Sequence, residues 1–134
     1  MSAWRKIAIE KLTRHRGLID RSESVGMLWV DLWLIFVDAH RPPGNEATIK
    51  NVYEFASWCV AKSGNVDIET STICHFYEHL PTEPLVRRDV AKHMARRDFL
   101  RMSEVFKYHL SPEEHDTFVR EFLDQRERLL KTAI

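Results

Sequence analysis

The sequence predicts an all-α protein, and three observations predict it. Apolar residues recur at three- and four-residue intervals along nearly the whole chain, the spacing that places side chains on one face of a helix. No alternation of apolar and polar residues lasts long enough to make a half-buried strand. Short breaks carrying glycine, proline and capping residues punctuate the apolar runs, as helix ends require.

The first helix is expected from about Ser2 to Arg16. Trp4, Ile7, Ala8, Leu12 and His15 share one of its faces, and Gly17 ends it. The second is expected from about Arg21 to His40, opened by Asp20 and Glu23 as a variant capping box. It is apolar nearly all round, from Met27 to Val37, and only Ser24, Asp31 and Asp38, seven apart, make a thin polar stripe. A helix of that kind is usually the middle of a bundle. The expected architecture is therefore a compact bundle of six or seven helices around an apolar central helix at about 21–40. Trp29, Trp33 and Phe36 are expected to be buried, with Asp31 and Asp38 facing water or a basic partner.

A third helix is expected from Asn45 or Glu46 to about Lys62, ended by Ser63-Gly64-Asn65. The fourth begins at Asp67 as N-cap and ends before Pro81. The fifth runs from Thr82 to about Met94. Asp98 caps a further helix carrying Phe99, Met102 and Phe106. Ser111-Pro112-Glu113-Glu114 is the clearest start signal: serine as N-cap, proline at the first helical position, and glutamate three residues after the cap. The last helix then reaches about Thr132. The breaks are too short to separate domains, so residues 1–134 read as one helical domain.

Composition narrows the function classes. A hydrophobic fraction of 44% with 30% charged residues suits a globular chain and not a disordered one. Twenty basic residues balance twenty acidic ones, whereas a dedicated nucleic-acid binder usually carries a basic excess. The most apolar run, Met27 to Val37, is too short to span a bilayer and contains Asp31. The N-terminus has no apolar signal-peptide core. Two cysteines, Cys59 and Cys74, do not make a disulfide framework, so a reducing cytoplasm is the expected compartment.

Three motifs bear on chemistry. His75-Phe76-Tyr77-Glu78-His79 matches H-x-x-E-H, the inverted zinc-protease pattern. On a continuous helix His75 and His79 share a face and can share a metal, and Glu78 can act as general base for a bound water. A catalytic site needs a third protein ligand, and no second helix supplies an obvious one, so a solvated histidine pair is the favoured reading and no cofactor is expected. The second motif is Arg88, Lys92 and Arg96, which line up at i, i+4 and i+8 as a phosphate-tracking stripe. Glu83, Asp89 and Asp98 interrupt the surrounding 87–101 basic stretch and favour an ordinary solvated face. The third is the pair Cys74–His75. Neighbours on a helix point about 100° apart and make no nucleophilic dyad. The four glycines are isolated, so a phosphate-cradling loop is not expected either.

The stretch from Tyr53-Glu54-Phe55-Ala56-Ser57-Trp58-Cys59 through Phe76-Tyr77-Glu78-His79-Leu80-Pro81 to Phe99-Leu100-Arg101 and Tyr108-His109-Leu110-Ser111-Pro112-Glu113-Glu114 resembles a group of short bacterial helical proteins of unknown function. The resemblance implies a bacterial cytoplasmic helical protein and supplies no catalytic residues. The expected function is binding of another protein, as an adaptor, a regulator or an immunity-type inhibitor. The alternatives are a metal-dependent hydrolase built on residues 75–79 and a nucleic-acid-binding regulator built on residues 87–101.

Overall fold

The computed structural model describes residues 1–132. The secondary structure is all-α: among the described residues there are ten α-helices, two 3-10 turns and no strand. The chain divides into two compact units, Met1–Phe76 and Tyr77–Ile134.

The first unit contains α1 (Ala3–Lys11), α2 (Arg16–Arg21), α3 (Val25–Ala39), α4 (Glu46–Ala61) and α5 (Val66–His75). The expected first helix ends early. Gly17 lies inside α2, whose start follows a break at Leu12–His15. The second apolar helix starts at Val25, not Arg21. Ser22 is extended, and Ser24 is the N-cap, its Oγ accepting from the Met27 amide at 3.2 Å. The tract 20–24 is rich in residues that cap well, and the serine nearest the apolar run does the capping. The same happens before α5. Asn65 Oδ1 accepts from the amides of Asp67 and Ile68, at 3.0 and 3.1 Å, so Asp67 sits in the first turn instead of at the cap. There its charge suits the positive end of the helix dipole. Gly64 precedes the cap at φ +61°, a conformation that favours glycine.

The core of this unit lies where α3, α4 and α5 meet. Leu28, Trp29, Leu32 and Phe36 project from α3 against Ile49, Val52, Phe55, Ala56 and Cys59 of α4, and Phe76 closes the end of α5. The one hydrogen-bonding group of the Trp29 side chain is satisfied inside this core: Nε1 donates to Thr72 Oγ1 at 2.9 Å, and that hydroxyl donates to the Ile68 carbonyl at 2.8 Å. Arg5 on α1 ties α2 down by donating to the carbonyls of Ile19 and Ser22.

The second unit begins with a 3-10 turn at Tyr77–His79 and continues through four short helices, α6 (Pro84–Arg87), α7 (Val90–His93), α8 (Arg96–Arg101) and α9 (Ser103–Phe106). A 3-10 turn at Lys107–His109 leads into the long α10 (Pro112–Thr132). The helix expected over 82–94 is two helices. Pro84 occupies the first turn of α6, where its missing N–H costs nothing, and Asp89 lies between the two segments. Its core is a phenylalanine cluster. Phe99 stacks on Phe122 at 3.7 Å and meets Phe106 and Phe118 at 4.9 and 5.2 Å. Arg126 donates to the Ala91 carbonyl at 3.0 Å and binds α10 to α7.

The start of α10 is a reciprocal capping box. Ser111 Oγ accepts from the Glu114 amide at 3.1 Å, and Glu114 Oε1 accepts from the Ser111 amide at 2.9 Å. That bond from the Ser111 backbone, ahead of the one from its hydroxyl, holds the Glu114 carboxyl below the usual carboxylate range. Ser111→Ala should lower stability by about 1 kcal/mol, read as a shifted urea midpoint. An unchanged midpoint would show that α10 does not depend on its cap.

Two further groups make stability pH-dependent. Burial, with the nearby Arg14 adding to it, lowers the pKa of His15. The hydrogen bond from His93, at 3.0 Å, together with Lys92, lowers that of Asp89. A depressed folded-state pKa favours the deprotonated group in the folded protein. Its contribution is therefore complete above the unfolded pKa and is lost as pH falls through the folded one. Stability should begin to decline as pH drops below about 6.5, the ordinary histidine value, and decline again in the carboxylate range. Urea midpoints measured across pH 4–7.5 should lose the upper step in His15→Gln. An unaltered profile in that variant would contradict the assignment.

Candidate functional site

Helix α3 divides into two faces. Val25, Leu28, Trp29, Leu32, Phe36 and Ala39 are buried. On the other side Met27, Val30 and Leu34 are 49%, 53% and 65% exposed, with Asp31 and Asp38 exposed among them. The helix is thus not enclosed on all sides, contrary to the expectation of an apolar centre. Trp29 and Phe36 are fully buried, as expected, and Trp33 is only half-buried. Positions i, i+3 and i+7 are neighbours along a helix surface, so Met27, Val30 and Leu34 form one continuous apolar strip and not three scattered exposures.

The strip is flanked by unbalanced charge. The sequence Val25–Ala39 contains two carboxylates and no lysine, arginine or histidine. Asp38 makes an exposed pair with Arg41 at 3.5 Å. Asp31 has no ion-pair partner among the described residues. Hydrophobicity alone predicts a helix enclosed on all sides, with Met27, Val30 and Leu34 covered like the rest. The signal for their exposure was the polar stripe itself. At 100° per residue Met27 lies only about 40° from Asp31, and Leu34 about 40° from Asp38, so a wet stripe necessarily wets its apolar neighbours.

The H-x-x-E-H residues do not share a helix. Helix α5 ends at His75, Phe76 leaves helical geometry at φ −122°, ψ −69°, and Tyr77–His79 is a 3-10 turn. The i, i+4 spacing that would stack His75 on His79 holds only in a continuous α-helix. The proline and threonine after Leu80 mark an ending in the sequence, but the helix stops five residues sooner, at His75. His75 belongs to the first unit, while Glu78 and His79 belong to the second. There His79 stacks on His109 with ring centroids 4.8 Å apart, and Glu78 lies 3.4 Å from His109 Nε2. His109 is a neighbour that sequence spacing alone gave no means of finding.

The basic stripe is also broken. Arg88 follows α6, Lys92 lies in α7 and Arg96 opens α8, so no single helix presents them at successive turns. All three are exposed, and Lys92 pairs with Asp89 at 3.2 Å. Cys59 is fully buried, and burial pushes its thiol up to about 11, far from a reactive thiolate. Cys74 is exposed. A wide-mouthed cleft of about 470 Å³ lies over the α3–α4 connection, lined by Ile35, Pro42, Pro43 and Thr48, with His15 at its edge. The one cation and one anion lining it, Arg41 and Asp38, pair with each other.

No family model matches the sequence, and no curated protein or solved structure does either. Among the described residues no helix is long and apolar enough to cross a membrane.

Proposed function

We propose that the chain is a protein-binding module that docks its partner on the outward face of α3. The observation that carries this reading is the continuous strip of Met27, Val30 and Leu34. Large aliphatic side chains held side by side in water are the usual mark of an interaction surface. Helix faces with anchors at i, i+3 and i+7 are a recurrent mode of helix recognition. Adaptor, regulator and immunity-type inhibitor are all roles that such a face serves. A bacterial, cytoplasmic setting is part of the same reading. It is supported by the resemblance to short bacterial helical proteins and by the presence of only two cysteines, too few for a disulfide framework, which suits a reducing compartment.

The test is photo-crosslinking in the native host with Leu34→p-benzoylphenylalanine. A discrete protein adduct is expected, and it should disappear when Val30→Asp is added. The same crosslinker at Tyr108, another exposed position at 75%, should give none. Absence of an adduct at Leu34, or equal adducts at both positions, would remove the reading.

A further inference from the structure

The charge around the α3 strip specifies what can cover it. A second copy of this chain, docked face to face through α3, would bring four carboxylates together: two each of Asp31 and Asp38. Neither helix has a basic residue with which to answer them. Arg41, just past the end of α3, is already paired with Asp38. In an antiparallel two-fold contact through the strip, the acidic flanks of the two helices face each other, and like charges brought together are unfavourable. An anionic lipid surface is disfavoured for the same reason, since it attracts cationic and not acidic helix faces.

The opposite partner fits without such conflicts. Asp31 and Asp38 lie one heptad apart on the same side of the strip, and Met27 and Leu34 lie beside them at the same separation. A helix whose apolar residues repeat at i, i+3 or i+4, and i+7 can pack on Val30 and Leu34 at ordinary helix–helix spacing. Lysines or arginines along its flank then reach the two carboxylates. Asp31, which has no partner of its own, gains one.

We infer that the partner of the α3 face is an amphipathic helix from another protein, with its apolar strip flanked by lysine or arginine. This rests on the docking reading above and adds the chemical class of the partner. The proposal accounts for the absence of any base on α3. Attraction to the acidic stripe steers the encounter and selects against acidic helices, while the aliphatic strip supplies the contact.

The experiment titrates the full chain with two synthetic helical peptides that share leucines at i, i+3 and i+7. One carries flanking lysines and the other carries glutamates at the same positions. The lysine peptide is expected to bind at least tenfold more tightly than the glutamate peptide. Its affinity should fall several-fold between 50 and 300 mM salt, through screening of exposed charges. Asp31→Asn with Asp38→Asn should erase the preference between peptides, and Leu34→Gln should remove binding of both. Equal binding of the two peptides by the native chain would overturn the inferred partner class while leaving the docking face standing. Binding of neither would overturn the inference, and the crosslink at Leu34 then decides separately whether the face docks a protein. Self-association abolished by Leu34→Gln would assign the face to a second copy. Binding to anionic vesicles abolished by Leu34→Gln would assign it to lipid. Either result contradicts the proposal.

Discussion

Trp29→Ala should lower stability by about 3–5 kcal/mol, the usual range for deleting a large buried aromatic. Trp29 is fully buried, with the rings of Phe55 and Phe76 at 5.4 and 5.1 Å. Its removal also leaves Thr72 Oγ1, buried in the same core, without the donor it accepts from. A lost partner inside a core carries its own penalty, about 1–3 kcal/mol, which places the variant toward the upper end of the range. Such a loss is a large share of the roughly 5–15 kcal/mol that typically holds a domain together. Urea unfolding followed by far-UV circular dichroism measures it. Trp33→Ala is the internal comparison. Trp33 is half-buried, so its truncation should cost clearly less than that of Trp29. A loss under about 1 kcal/mol at Trp29, in the range of ordinary surface changes, would show that the core is not organised around that ring.

Phe99→Ala should have an effect of similar size in the second unit, again about 3–5 kcal/mol. Phe99 is fully buried and touches the three other rings of the cluster, lying parallel to Phe122 with only 4° between the planes. The short helices α8 and α9 have few residues with which to hold themselves. Helices of such length are unstable alone and depend on packing. The consequence is local and readable. Amide hydrogen exchange in Arg96–Arg101 and Ser103–Phe106 should accelerate strongly in the variant. Retained protection there would mean that the cluster is not what fixes these helices.

The fold was most legible where a capping signal and an apolar period agreed. The start of α10 is the clearest example: Ser111, Pro112 and Glu114 name the cap, the first turn and the reciprocal acceptor, and the structure contains all three. Asn45 and Glu46 fixed the start of α4 in the same way. Legibility failed where several residues compete for one role. Between Asp20 and Ser24 three side chains, Asp20, Ser22 and Ser24, can cap a helix, and periodicity does not choose among them. It failed again over residues 82–106, where short helices follow one another at close intervals. Spacing reads such a run as longer helices, because each fragment keeps the helical period. The site was less legible than the fold. Hydrophobicity alone does not tell Met27, Val30 and Leu34 from their buried neighbours on α3. Whether an apolar residue is covered depends on where α4 and α5 lie, and that is tertiary information. The pairing of His79 with His109 is hidden for the same reason, since a contact across 30 residues leaves no local trace.

The central claim is that α3 has a structural face and a free face. Equilibrium urea unfolding of the double variant Val30→Gln, Leu34→Gln tests it most directly. Glutamine keeps good helix propensity, so the measurement reports burial and not backbone preference. The expected loss is no more than about 1 kcal/mol, two surface changes of up to about 0.5 each. A loss of about 4 kcal/mol or more, the sum expected when two core aliphatic side chains are lost, would place Val30 and Leu34 inside the fold and leave no free face to bind anything.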